Sequence, residues 1–161
     1  VNNNKKNVTN SLLQDLDNII ELNNMLLSVP KHIIFYLDIK CEENESAFVI
    51  KINQILTQYP NRIFYIASFS KTFVSLFTSI YTNYRLGYIF ELFDTKIYNI
   101  LKNKIDFIVN KMTQTKEFMD FLEIDDKIKY VYTINNVILI DKYMEYIDGI
   151  ITDYPDIMLL H

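Results

Sequence analysis

Two residues of opposite charge stand two positions apart at the end of an apolar run, His32-Ile33-Ile34-Phe35-Tyr36-Leu37-Asp38-Ile39-Lys40. A short continuous apolar segment that ends in polar residues is the pattern of a fully buried strand, as in parallel sheets. Side chains alternate along a strand, so Asp38 and Lys40 point the same way at its C-terminal end. That end is where α/β folds keep their chemistry. On the residues alone, an Asp-x-Lys at a strand exit is more often a salt bridge or a solvated edge than a site.

The elements that must position this pair follow from the rest of the chain. Its 161 residues suffice for one domain that buries roughly two-thirds of its unfolded surface. Half of them are hydrophobic and 22% are charged, which is a folding composition and not a disordered one. A net charge of −4 leaves no basic footprint for nucleic acid. The apolar runs are too short to span a bilayer and no secretory signal precedes the first helix, which slightly favours a cytoplasmic compartment. The single cysteine, Cys41, excludes an intrachain disulfide framework, and with two histidines it cannot make an ordinary zinc site. Residues 1–10 are polar and Asn-rich, the composition of a linker or the end of a low-complexity segment, and they suggest that something lies upstream.

Ser11 and Gln14 form a capping box ahead of Leu12, Leu13, Leu16, Ile19 and Ile20, which predicts a helix over about 11–26. The Asp38 strand follows. A second helix carries Phe48, Ile52, Ile55, Leu56 and Tyr59 on one face, and Pro60-Asn61 stops it. Ile63–Ala67 is a further apolar run ending at Ser68-Phe69, and Ser70 caps a helix with Phe73, Phe77, Ile80 and Tyr84. Strand runs then recur at Leu86–Phe90, Ile105–Val109, Ile128–Ile134 and Ile150-Ile151, separated by a short helix capped by Asp94, a helix around Thr115–Leu122 and a helix capped by Asn135-Asn136. Alternation from end to end predicts βαβ units and a parallel sheet. Gly87 and Gly149 are the only glycines, so phosphate-cradling glycine loops are absent and with them most dinucleotide and P-loop readings.

The strand exits Leu37-Asp38-Ile39-Lys40, Ser68-Phe69, Tyr132-Thr133-Ile134-Asn135 and the block Asp148-Gly149-Ile150-Ile151-Thr152-Asp153-Tyr154-Pro155-Asp156 can be taken together. In order and spacing they resemble the C-terminal half of the glycerophosphodiester phosphodiesterase family. That family has a Glu-Ile-Lys strand end, a Ser-Phe strand end, a Trp-Thr-Val-Asn strand and a closing Asp-Gly-Ile-Ile-Thr-Asp-x-Pro. The resemblance covers the chain from about residue 10 onwards. It implies an α/β fold of (β/α)8 TIM-barrel type, of which about five to six βα units are present, with residues 11–161 as the C-terminal half of the barrel. It also implies metal-dependent hydrolysis of a glycerophosphodiester to glycerol 3-phosphate and an alcohol, a reaction of lipid metabolism.

On that resemblance Asp38 corresponds to a ligand of a divalent metal, Mg or Ca, and Lys40 to a catalytic cation facing the phosphate. Ser68, Phe69, Tyr132 and Asn135 would contact substrate. Without it, Ser68 is a satisfied hydroxyl, Phe69 a core ring, Tyr132 one of twelve tyrosines, and Asp153 a cap of the last turn. The sequence departs from the family in having Asp38 for Glu and Tyr132 for Trp. It also lacks the family's His-Arg pair, Glu-x-Asp metal pair and second histidine, which lie ahead of the acidic strand. His32 begins a strand and His161 is the last residue, and neither matches. The expected partners are a small glycerophosphodiester and a missing N-terminal half of the barrel in the same or another chain, with this segment inactive alone. The rivals are a non-catalytic half-barrel acting as a binding module and a related phospholipase of the same barrel superfamily. Three strands precede the acidic one in the family pattern and six candidates begin with it here, too many for an eight-stranded barrel. Either Leu86–Phe90 or Ile105–Val109 is then a short extra piece or no strand at all, and Ile105–Val109 is the one demoted.

Overall fold

The computed structural model describes residues 21–41, 44–77, 84–124 and 126–158. The chain forms two compact units, residues 1–33 and 34–161. In the first, α1 (Leu22–Ser28) ends with the Val29 N–H and the Ser28 hydroxyl both donated to the Met25 carbonyl, just before Pro30. Most of the helix expected over 11–26 lies outside the described residues, as do its cap and residues 1–10.

The second unit alternates strand and helix without exception: β1 (Phe35–Ile39), α2 (Glu45–Leu56), β2 (Phe64–Ser68), α3 (Lys71–Phe77), β3 (Arg85–Phe90), α4 (Thr95–Leu101), β4 (Phe107–Lys111), α5 (Lys116–Leu122), β5 (Ile128–Tyr132), α6 (Val137–Tyr143), β6 (Gly149–Ile150) and α7 (Pro155–Met158). The six strands form one sheet in the order β1-β2-β3-β4-β5-β6, and every neighbouring pair is parallel. Strands that add in chain order never reverse direction across the sheet. That is the winding of a β/α barrel, whereas a doubly wound sheet changes hand at a switch point.

The run Ile105–Val109 is no extra piece. Its core becomes β4, paired with β3 from Gly87↔Phe107 to Phe90↔Asn110 and with β5 from Phe107↔Ile128 to Lys111↔Tyr132. Phe107, Ile108 and Val109 are completely buried, as an interior strand requires. The misreading came from the assumed number of strands ahead of Asp38. An eight-stranded barrel leaves two places beside these six.

Helix starts follow local chemistry. The Ser70 hydroxyl accepts the Phe73 N–H and itself donates to the Glu45 carboxylate. Asp94 accepts from Lys96 and Ile97, and Asn136 accepts from Ile138. The helices bury Val49, Ile52 and Leu56 of α2, Phe73, Val74 and Phe77 of α3 and Phe118, Phe121 and Leu122 of α5. Phe64, Ile66, Ile108 and Val131 are buried on the strands. At the N-terminal ends of the strands, Asp106 accepts the Leu86 N–H and Asp148 the Lys129 N–H, both at 2.8 Å. Asp148 thus fixes the bottom of the sheet.

The sheet is curled. In a flat sheet strands three places apart lie about 14 Å from one another. Yet the rings of Tyr36 on β1 and Phe107 on β4 are 6.1 Å apart, and those of Tyr65 on β2 and Tyr130 on β5 are 6.2 Å apart. These side chains converge on a concave inner face, so the six strands make a partial barrel. Both glycines serve that face. A Cβ at Gly87 would lie 2.3 Å from Phe107 Cε2 and one at Gly149 2.7 Å from Tyr130 Cε1, so the aromatic rings fill the space that other residues would take.

Candidate active site

The alternation of side chains decides what reaches the C-terminal mouth of the concave face. On β1 the inward set is Tyr36, Asp38 and, one step past the strand, Lys40. On β4 it is Phe107 and Val109. One cavity of about 410 Å³ is lined by Tyr36, Asp38, Lys40, Phe69, Ile89, Val109, Tyr132, Thr133 and Ile151. Residues from β1, β3, β4 and β5 and the exits of β2 and β6 therefore meet in one place, although they are spread over more than a hundred positions of sequence.

Four of the six site residues expected from sequence line this cavity: Asp38, Lys40, Phe69 and Tyr132. Lys40 Nζ lies 3.2 Å from the Asp38 carboxylate. The Lys40 side chain is 75% exposed and that of Asp38 36%, so the pair is a solvated ion pair with little net energy of its own. The Phe69 ring meets Tyr132 edge to face at 6.3 Å, which ties the exit of β2 to that of β5. The Tyr132 hydroxyl donates to the Phe90 carbonyl at 3.2 Å. Burial first, and then the carboxylates of Glu91 and Asp38, push the Tyr132 phenol up to about 12, which keeps it a neutral donor.

The other two lie elsewhere. Ser68 is 2% exposed and donates to the Ile39 carbonyl at 2.8 Å while accepting the Ser70 N–H, so it pins the exits of β1 and β2 together. It faces a smaller hollow shared with Ile39, Lys40, Cys41, Phe69 and Ser70. Asn135 bridges the exits of β5 and β6. Its amide donates to the Asp153 carboxylate at 2.9 Å, and its oxygen accepts the Thr152 hydroxyl and the Asp153 N–H, each at 3.0 Å. The Thr-Asp of the closing block is thereby a clamp between loops.

Sequence reasoning passed over Tyr36, Ile89, Val109 and Ile151, which line the cavity, and a second ion pair between Glu91 and Lys111 at 3.1 Å. Period-two counting back from Asp38 reaches Tyr36 directly, and a charge immediately after a buried run marks both Glu91 and Lys111. The buried Tyr36 hydroxyl has no hydrogen-bond partner among the described residues.

As a place for a metal the arrangement is incomplete. A hard divalent cation wants several oxygen ligands, and among the described residues no group of three or more His, Cys, Asp or Glu side chains could hold one. His32 is exposed in the turn before β1, and His161 lies outside the described residues. Among the described residues no helix is long and apolar enough to cross a membrane.

No protein-family model matches the sequence, and no curated protein gives a significant match. Solved structures do match in fold. A phosphodiesterase from Oleispira antarctica, determined in complex with the product sn-glycerol-3-phosphate, superposes with a TM-score of 0.65 at 17% identity, covering 74% of this chain and 51% of that one. A glycerophosphodiester phosphodiesterase from Parabacteroides distasonis gives 0.61 at 15% identity, covering 76% of this chain and 53% of that one. A candidate glycerophosphoryl diester phosphodiesterase from Silicibacter pomeroyi gives 0.60 at 14% identity, covering 74% and 46%. The chain thus spans about half the length of the solved structures it matches. At these identities the match defines the class by architecture: an α/β chain with the C-terminal part of a TIM-type barrel, built like the corresponding part of those phosphodiesterases.

Proposed function

We propose that this chain supplies the C-terminal strands of a phosphodiesterase barrel that hydrolyses a glycerophosphodiester to glycerol 3-phosphate and an alcohol. The observation that carries the reading is the convergence of Asp38, Lys40, Phe69 and Tyr132 on one mouth cavity of a sheet wound in chain order. Phosphodiester cleavage needs fixed positive charge against the transition state, and Lys40 has an exposed ammonium at the mouth to supply it. Asp38 holds that ammonium in place and offers one carboxylate to a Mg or Ca ion. The described residues alone do not fit a metal centre. The remaining ligands and the acid–base histidines are assigned to the two strands that complete the barrel, in the same chain or another. Phe69 and Tyr132 wall the side toward the alcohol, while Ser68 and Asn135 act on substrate only through the loops they hold.

Activity of the native polypeptide from its own source, assayed with glycerophosphocholine and a divalent metal, tests this. Hydrolysis is expected, with Lys40→Ala and Asp38→Ala each lowering kcat/KM by about a hundredfold or more. The 161-residue chain alone is expected to show no turnover. Native polypeptide that folds, carries the whole barrel and turns over no phosphodiester would overturn the reading. It would favour a non-catalytic binding module, to which the lack of a complete ligand set among the described residues also points.

A further inference from the structure

On β1 the mouth cavity is lined by Tyr36 as well as by Asp38 and Lys40. Tyr36 lies two residues before Asp38 on the same face of β1, so it sits about 6.6 Å deeper along the strand. It is shared between the mouth cavity and a second hollow of about 250 Å³ below it, lined by Ile34, Tyr36, Tyr65, Tyr130, Ile150 and Ile151. Its ring is held against Phe107 at 6.1 Å. Its hydroxyl oxygen is buried and has no partner among the described residues, whereas the Tyr132 hydroxyl on the same wall is spent on a main-chain carbonyl. An unmade hydrogen bond at a buried hydroxyl costs free energy. Groups left in that condition recur where a ligand supplies the missing partner.

We infer that Tyr36 is the inner specificity residue of the cavity, donating its O–H to a hydroxyl oxygen of the polyol end of the ligand. The inference rests on the functional reading above and extends it. With phosphate at the level of Lys40, the part of the ligand that passes inward meets Ile89, Val109 and Ile151. That wall suits a short carbon chain and carries one free donor. A glycerol moiety fits it, and a charged head group does not, because a cation or anion there would be desolvated against aliphatic side chains. The alcohol leaving group is therefore directed outward, past Phe69 and Tyr132. Tyr36 distinguishes glycerol phosphate from bare phosphate.

Calorimetric titration of the native polypeptide and its Tyr36→Phe form with sn-glycerol 3-phosphate and with inorganic phosphate tests the assignment. The wild type is expected to bind glycerol phosphate more tightly than phosphate. Tyr36→Phe is expected to lose about fivefold in affinity for glycerol phosphate, the scale of one neutral hydrogen bond, with phosphate affinity unchanged. Its thermal midpoint is expected to equal or exceed that of the wild type, since the deleted hydroxyl has no partner among the described residues. Equal affinity of both forms for glycerol phosphate would overturn the role of Tyr36 and leave the phosphodiesterase reading standing. Weakened binding of both probes together with a lowered midpoint would show a structural role and also overturn it. Failure of the wild type to bind either probe would overturn the phosphodiesterase reading and this inference with it.

Discussion

The two faces of the curled sheet are packed by different rules. On the helix side, Phe64, Ile66, Phe73, Val74, Phe118 and Phe121 are fully buried. Of the polar groups caught there, Ser68 and Lys129 are spent on the carbonyls of Ile39 and Leu122, while the Asn110 Oδ1 has no partner among the described residues. On the concave side Phe107 is fully buried, but Tyr36, Tyr65, Tyr130 and Tyr132 around it are only partly covered. Tyr36 and Tyr65 tilt against Phe107, Tyr130 meets it edge to face, and of the Tyr36 and Tyr132 hydroxyls only that of Tyr132 is spent among the described residues. The outer face is finished by the helices of this chain. The inner face is less completely covered by the described residues. The lesson is that the outer face is closed by apolar packing while the inner one keeps polar groups at a cavity.

The sharpest way to break this contrast is to truncate one ring on each face. Phe121→Ala on the sealed side is expected to cost about 3–5 kcal/mol in urea unfolding, and Tyr65→Ala clearly less, because its ring is only partly removed from water. Equal losses would show that the inner face is as closed as the outer. Next in size, Gly87→Ala forces a methyl against Phe107 and is expected to cost about 1–3 kcal/mol. Its combination with Phe107→Leu should recover part of that loss.

A smaller effect is set by pH. Burial raises the phenols of Tyr36 and Tyr132 above the ordinary value of 10.0, Tyr132 to about 12. A group whose folded pKa is raised contributes stability below its unfolded value and loses it as pH climbs through the folded one. Unfolding free energy is therefore expected to fall between pH 10 and about 12, and Tyr132→Phe should flatten that fall. An unchanged slope in the variant would detach the alkaline transition from Tyr132. Smallest of all, Lys40→Ala removes an exposed ion pair and is expected to change stability by about 0–1 kcal/mol. A much larger loss in stability would mean that Lys40 holds the fold, and its proposed loss of activity would then say nothing about the phosphate.

Much of the architecture was legible in the chain. Continuous apolar runs separated by capped helical stripes specify buried parallel strands, and Ser70, Asp94 and Asn136 begin helices as their side chains require. The exit of β1 was legible too, because alternation alone sends Asp38 and Lys40 the same way. Strand number was not: the Phe107-Ile108-Val109 run was plain in the sequence, but an assumed strand count displaced it. Ser68 and Asn135 were located but not understood. A side chain's type does not say whether its hydrogen bonds will close on the protein or stay open to a ligand.

The sequence by itself determined the elements, their order and the polarity of each strand exit, because those follow from local periodicity and capping. Only the tertiary structure decided how far the sheet curls, since that depends on rings from strands three places apart meeting across a concave face. It also decided which polar side chains are spent. Ser68, Tyr132 and Asn135 find partners 29, 42 and 18 positions away, and the Tyr36 hydroxyl, on the strand first picked out by its charges, finds none among the described residues.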